Sequence, residues 1–314
     1  MCMQVYIVWQ RVEMKKVLII TGSIDNTVDY VMNKYRKVAE FYRLDVDMFP
    51  KYEVILGGSK QWMISCDEWS LEKKELHSIY YRKPRLPNLD EYSNAYRGMI
   101  AKDIISLING IVDDFQGRVL TRPYILRKTE NKAFQLLYAE KKGLLVPKSF
   151  IGNSNRCTKD YLNKKSIIKP LTTGKIIMGD VVELYHTNYL GVLDEDISLT
   201  PVYFQEYINK QYEVRMTYID GYFFTVRIDS QDKLDWRKNY SGLKYGVIDC
   251  PLKISVQCKE LLKEFELNYG AFDFIVDKND RWYFLEVNPN GQWLWLEYEL
   301  KIPISEKIIG YLLG

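Results

Sequence analysis

The sequence predicts an α/β chain in which a βαβ unit precedes a larger region dominated by antiparallel strands. Three observations carry this. Val17-Leu18-Ile19-Ile20-Thr21 is a continuous apolar run of the kind buried in parallel sheets. Tyr212 to Ile219 and Tyr222 to Ile228 alternate in polarity around Asp220-Gly221, a tight-hairpin signal. Gly270 to Asp277 and Trp282 to Gly291 are strand-like runs rich in aromatic and β-branched residues, with Asp277 to Arg281 as their connection.

Taken in order, residues 1 to 13 read as a dispensable extension, because Met14-Lys15-Lys16 before the first strand is a second possible start. A helix to about Tyr42 and a strand near Leu44 to Asp47 complete the βαβ unit. It lacks GxGxxG, which leaves little support for a dinucleotide site. Residues 50 to 82 form a small β-rich segment with Trp62 and Trp69, ending in the basic, proline-stiffened Tyr80-Tyr81-Arg82-Lys83-Pro84-Arg85-Leu86-Pro87. Residues 90 to 116 follow a helical pattern with Met99, Ile100, Ile104, Leu107, Ile108 and Ile111 on one face. A first lobe, residues 1–118, closes near Gly117. A central lobe, 119–200, holds a helix from Asn131 to Lys142 stopped by Gly143, a strand Ser166 to Lys169, and a polar turn from Leu171 to Gly179. A third lobe, 201–314, starts with the strand Val202 to Ile208.

Composition removes several functions. The 314 residues carry a net charge of +3 with lysines spread along the chain, so no basic field announces nucleic acid. No apolar run approaches the ~20 residues of a membrane span, and Gln4 to Trp9 is too short for a secretion signal. Five scattered cysteines without a CxxC pair read as reduced thiols of a cytoplasmic protein. Two histidines, His77 and His186, argue against a zinc site or a Ser-His-Asp triad, though either alone can serve in proton transfer.

Folding the last hairpin about its connection places Asp273 nearly opposite Glu286, and Asn288 shares a face with Glu286 at i+2. Facing carboxylates repel unless something positive lies between them. Oxygen donors without His or Cys suit a hard divalent cation, Mg²⁺ foremost, held by carboxylates and substrate phosphates. The competing reading is an exposed hairpin with one solvated acid on each strand; both acids interrupt otherwise apolar strands, which favours the metal. Lys169 lies within an apolar strand, where an ammonium is costly without an anion. The glycine-bearing turn after it can cover a phosphate chain, and Lys132 opens a helix whose N-terminus favours anions; either lysine alone can equally be a snorkelling surface residue. Glu206-Tyr207-Ile208 sits where a strand leaves one lobe for the next, a hinge whose backbone can pair with the amino edge of adenine. Glu213 can then accept from ribose hydroxyls. The blander alternative makes Glu206 and Glu213 rim carboxylates. Arg215 shares a face with Glu213 and Thr217, with Arg227 on the other. Asp235-Trp236-Arg237 follows in a polar loop, where a surface ion pair beside a partly exposed Trp is the alternative to a functional element.

Together these pieces resemble the ATP-grasp superfamily through roughly residues 119 to 314, with the βαβ lobe in the place of its usual preceding domain. Asn131-Lys132-Ala133-Phe134-Gln135-Leu136, Asp229-Ser230-Gln231 with Asp235-Trp236-Arg237, Phe284 to Trp295 and Pro303 to Ile308 resemble the ribosomal-peptide maturases that make microviridin-type graspetides. Tyr81-Arg82-Lys83-Pro84 is similar to an Arg-Arg-Pro element of that family, with Lys83 for the second arginine. The resemblance implies ATP held between the central and C-terminal lobes, and Mg²⁺ on Asp273, Glu286 and Asn288. It further implies phosphate contacts from Lys132 and Lys169, phosphoryl stabilisation by Arg215, and a grip on the acidic core of a precursor peptide by Arg237 oriented by Asp235. A side-chain carboxylate would be activated as an acyl phosphate and captured by a Ser, Thr or Lys of the same peptide, whose leader binds elsewhere; a homodimer stays open. The alternatives are an ATP-grasp amino-acid ligase acting on a protein C-terminus or a small metabolite, and a non-catalytic nucleotide- or peptide-binding module.

Overall fold

A computed structural model describes residues 14–57, 62–154, 165–172, 175–178, 181–184, 187–190, 196–234, 236 and 242–314. The extension read at residues 1 to 13 lies outside them. The chain divides into two units, one running to Leu120 with Ile309–Gly314 added, the other Thr121–Ile308. No described helix is long and apolar enough to cross a membrane.

The first unit contains β1 (Lys15–Thr21), α1 (Asn26–Tyr35), β2 (Ala39–Asp45), β3 (Glu53–Leu56), β4 (Trp62–Ser65), β5 (Ser70–Glu72), β6 (Leu76–Tyr81), α2 (Asn94–Asp114) and β7 (Arg118–Leu120). Strands β2-β1-β6-β7 form a parallel sheet, and β3-β4-β5 an antiparallel meander. Val17 to Ile20 at its centre are fully buried. Two sequence expectations change here. The first helix ends at Tyr35 instead of about Tyr42, because Ala39 to Asp45 pair in parallel with β1; sheet pairing overrides the helix propensity of that polar stretch. On α2, Ile108 and Ile111 are buried but Met99 is 55% exposed, so the apolar stripe is covered only toward its C-terminal end.

Arg82 is 1% exposed and belongs to the framework of this unit. Its Nε lies 3.3 Å from Asp25 Oδ2, and Nη2 donates to Thr27 Oγ1 at 3.2 Å. The same Asp25 carboxylate caps α1 by accepting from the Thr27 and Val28 N–H groups, so the buried charge is paired and anchored to a helix start. His77 is equally structural. Its Nε2 is 3.1 Å from the Leu313 carbonyl, and burial, reinforced by Lys15, holds its pKa below the usual value. His186 lies outside the described residues.

The second unit contains α3 (Pro123–Thr129), α4 (Lys132–Lys141), β8 (Ser149–Gly152), β9 (Ser166–Lys169), β10 (Lys175–Met178), β11 (Val181–Leu184), β12 (Asn188–Tyr189), β13 (Val202–Glu206), β14 (Lys210–Ile219), β15 (Tyr222–Asp229), β16 (Lys244–Val247), α5 (Leu252–Glu264), β17 (Tyr269–Asp277), β18 (Trp282–Asn288) and α6 (Leu294–Leu300); α7 (Ile304–Leu313) follows. Its antiparallel sheets run β12-β9-β13-β8 and β16-β15-β14-β17-β18, beside the hairpin β10-β11. That hairpin corrects the reading of residues 171 to 179 as turn throughout: Lys175–Met178 is a strand, paired with Val181–Leu184.

Alternation along β14 and β17 separates two faces. Val214, Met216, Phe272, Phe274 and Val276 pack with Cys258, Leu261, Leu262 and Phe265 of α5 in one core cluster. Arg215 pairs with Asp273, and both point to the opposite face. The hairpin turns behave as their residues require: Asp220 and Gly221 both take positive φ (43° and 92°), the geometry of a tight two-residue connection.

Candidate active site

The register of β18 against β17 shifts between Asp273 and Phe274: Phe274 faces Phe284, but Asp273 faces Glu286. One residue, Leu285, is thereby extra. Phe284 and Val287, three apart, both reach the core cluster, which a regular period-two strand does not allow. The bulge thus turns Glu286 and Asn288 to the face that carries Asp273. Without it the register would put Leu285 opposite Asp273.

That face borders a cavity of about 760 Å³. Lys132, Lys169, Glu206, Tyr207, Ile208, Glu213, Asp273, Glu286 and Asn288 all line it. Lys132 follows the N-cap Asn131, whose side chain accepts from the Phe134 N–H. Its ammonium donates to the Pro170 carbonyl at 2.9 Å and the Thr172 carbonyl at 3.3 Å, and stands 4.0 Å from Glu286 Oε2. It therefore ties the loop after β9 to the carboxylate wall. Lys169 projects beside the Tyr203 ring, 5.5 Å from its centroid. Burial raises the Tyr203 pKa, and the Glu286 charge raises it further, so the phenol stays protonated at neutral pH. Lys132→Ala should release the Pro170–Thr172 loop and lower unfolding free energy by about 1.5–3 kcal/mol at most, the value of one or two hydrogen bonds from a charged donor; chemical denaturation measures it.

At the end of β13, the Glu206 N–H donates to the Lys148 carbonyl at 2.8 Å, and the Tyr207 N–H to the Lys165 carbonyl at 3.0 Å. The Lys165 ammonium sits 4.0 Å over the Tyr207 ring and 4.9 Å over that of Tyr189. Burial, with Tyr189 beside it, pushes the Tyr207 pKa up to about 12. Glu213 is buried and lies 2.9 Å from the Lys210 ammonium, so its charge is compensated inside the fold.

Arg215 is not among the residues lining the cavity. Its Nη1 donates to both Asp273 oxygens at 2.9 and 3.0 Å, and Nη2 donates to the Gln292 carbonyl at 3.2 Å. It is a buried neighbour of the carboxylate wall. Gly291 makes room for it, since a Cβ there would stand 2.7 Å from Arg215 Nη2 and 2.5 Å from the Ala271 Cβ. Asp235 and Arg237 lie outside the described residues. Trp236 between them lines the cavity, its ring 5.3 Å from that of Trp295, which stands 5.1 Å from Tyr245.

The donor set fits a hard divalent cation. Among the described residues, no group of three His, Cys, Asp or Glu side chains gathers for a metal. A cation here would rest on two carboxylates and one amide oxygen, a set that suits Mg²⁺, which is usually held by one or two carboxylates together with phosphate oxygens and water. The Asp273 oxygens keep lone pairs beyond those taken by Arg215, and Asn288 Oδ1 keeps one beyond its bond from the Asn290 N–H at 3.0 Å. One residue with a part in this wall escaped the sequence reading as a site residue: Gln135, whose side chain bonds the backbone of Val287. Its signals are an amide in the apolar stretch of a helix and its place within the Asn131–Leu136 motif of the resemblance.

Residues 16–124 match the family model of the MvdD pre-ATP grasp domain. In structure the chain is similar to macrocyclase MdnC of Microcystis aeruginosa MRC, solved with precursor peptide MdnA, at 30% identity and TM-score 0.85, covering 95% of this chain and 99% of that one. It is similar to a RiPP-associated ATP-grasp ligase of Chryseobacterium gregarium, solved with ADP and a leader and core peptide (26% identity, 96% and 95% covered, TM-score 0.85). Macrocyclase MdnB of Microcystis aeruginosa MRC aligns at 26% identity over 95% of this chain and 99% of that one, TM-score 0.81. No curated protein matches by sequence. Fold and comparisons define an ADP-forming ATP-grasp ligase. Within that class, the chain belongs to the ribosomal-peptide maturases, the graspetide macrocyclases of microviridin type.

Proposed function

We propose that the chain is an ATP- and Mg²⁺-dependent macrocyclase of a ribosomal precursor peptide with a leader and an acidic core. The observation that carries this reading is the shared wall of Asp273, Glu286 and Asn288, faced by Lys132 with its ammonium 4.0 Å from Glu286. In this reading residues 119–200 and 201–314 hold the nucleotide. Bound Mg²⁺ supplies charge neutralisation and alignment of the phosphate oxygens.

A carboxylate is a poor acylating agent until its oxygen becomes a leaving group. A peptide Asp or Glu oxygen attacks the γ-phosphorus and ADP departs, leaving an acyl phosphate. A Ser or Thr hydroxyl, or a Lys amine, of the same peptide then attacks the acyl carbon, losing a proton as inorganic phosphate leaves. Phosphoryl transfer asks for positioning and charge more than covalent help. Asp273, Glu286 and Asn288 would hold Mg²⁺ against the phosphates, while Lys132 and Lys169 neutralise the remaining negative oxygens. Glu206, Tyr207 and Ile208 take the adenine edge, and Glu213 the ribose. Arg215, through Asp273, fixes the direction of a carboxylate at the reacting end. Asp235 orients Arg237 toward the acidic core.

Incubation with candidate precursor peptides and Mg-ATP should remove one water mass per ring closed, with stoichiometric ADP. A mass gain from an attached amino acid would instead establish the amino-acid ligase, and ATP binding without ADP release the non-catalytic module. Arg237→Ala should lower peptide modification at least tenfold while ADP affinity stays within about twofold, since one guanidinium–carboxylate contact is worth about 1.5–3 kcal/mol. Equal loss of both would remove Arg237 from peptide recognition.

A further inference from the structure

The strand that carries Glu286 and Asn288 is the outer strand of its sheet: β18 pairs with β17 and, among the described residues, with no other strand. Such an edge leaves backbone N–H and C=O groups pointing outward. At Val287, between Glu286 and Asn288, both groups are taken by one side chain. Gln135 Nε2 donates to the Val287 carbonyl at 2.8 Å, and Gln135 Oε1 accepts from the Val287 N–H at 2.8 Å. Nε2 also donates to the Thr129 carbonyl at 2.6 Å, and the residue is 4% exposed. The amide of Gln135 thus occupies the place of a residue on a neighbouring strand.

We propose that Gln135 is a positioning residue for the divalent cation, acting as a surrogate strand that fixes the Val287 peptide and hence the aim of Glu286 and Asn288. The inference rests on the metal reading of those donors. The bulge at Leu285 makes such a tether necessary, because it interrupts the β17–β18 ladder immediately before Glu286. The anchor is firm on its other side: Gln135 lies on α4, three residues after Lys132 and so on a neighbouring part of the same helix face. One helix thereby sets both the ammonium that stands 4.0 Å from Glu286 and the backbone that orients that carboxylate. Partners that orient metal donors from behind affect affinity nearly as strongly as the donors do.

The test is the Mg²⁺ dependence of ADP binding to the full chain, measured by calorimetry at a series of MgCl₂ concentrations, with thermal unfolding of the unliganded protein alongside. Gln135→Met, close in volume but without the amide, should raise the Mg²⁺ concentration for half-maximal ADP binding by about 10- to 100-fold. ADP affinity without Mg²⁺ should stay within about twofold, because Lys132 and Lys169 are untouched. Gln135→Asn, which withdraws the amide by one methylene, should shift the midpoint in the same direction by less; it also decides the matter if the Met variant does not fold. An unchanged Mg²⁺ midpoint in a folded variant of lowered thermal stability would reduce Gln135 to a packing residue and overturn the proposal. Glu286→Gln separates this from the parent reading: if its Mg²⁺ midpoint equals that of the native chain, the metal assignment itself fails.

Discussion

Glu286→Gln should lower ADP formation by about 10²- to 10³-fold, the effect of removing one preorganised charge-stabilising group, and leave the fold intact. The substitution keeps the volume of the side chain, removes its charge and exchanges one acceptor oxygen for an NH₂ donor. Glu286 is a quarter exposed on the cavity face, with the Lys132 ammonium 4.0 Å from its Oε2. No core packing depends on it, so unfolding free energy should change by less than about 0.5 kcal/mol, as for surface substitutions. The loss should appear mainly in kcat, because a metal that bridges phosphates is needed most where charge redistributes in the transition state. Steady-state ADP release and a thermal melt of the same sample decide it. Native turnover in Glu286→Gln would leave β18 as an ordinary edge strand.

The carboxylate wall was legible because charge stands out against apolar strands. Asp273 is flanked by Phe272 and Phe274, Glu286 by Leu285 and Val287, and polar groups in such runs need a partner. The near-facing of Asp273 and Glu286 was legible from the hairpin, but the bulge that brings them into register was not, because the extra residue, Leu285, shows only in the packing of both Phe284 and Val287 into one core. Parity placed Arg215 with Glu213 and Thr217, yet a single strand carries no record of its cross-strand partner, so its capture by Asp273 was hidden. Gln135 was hidden for the same reason, its partner Val287 being far away in sequence. Sequence alone extends the first helix past Tyr35 because Arg36 to Glu40 contains good helix formers, while the parallel pairing of Ala39 to Asp45 with β1 is a tertiary fact. The short strand Lys175–Met178 was lost within a turn marked by Gly174 and Gly179, its partner being only another short run.

Arg215→Ala should destabilise the chain by about 3–5 kcal/mol, the cost of stranding one charge of a buried pair. The guanidinium donates to both Asp273 oxygens and to the Gln292 carbonyl, with 8% and 11% of the two side chains exposed. Asp273→Ala should cost a similar amount by leaving Arg215 without its counter-charge. Asp273→Ala/Arg215→Ala together should cost clearly less than the sum, and the shortfall measures the coupling. Burial keeps salt from screening the pair, so chemical denaturation at low and moderate salt should give the same coupling. The cycle also bears on mechanism. An arginine held at both ends of its fork has little freedom to swing onto a transferring phosphoryl group, so its contribution should pass through Asp273. Single variants folded at low temperature should then show the signature of a misaimed metal donor, with weakened Mg²⁺ dependence in Arg215→Ala as in Asp273→Ala. If Arg215→Ala instead lost phosphoryl transfer while keeping native Mg²⁺ dependence and stability, the guanidinium would have to leave Asp273 during turnover and act on the phosphate directly.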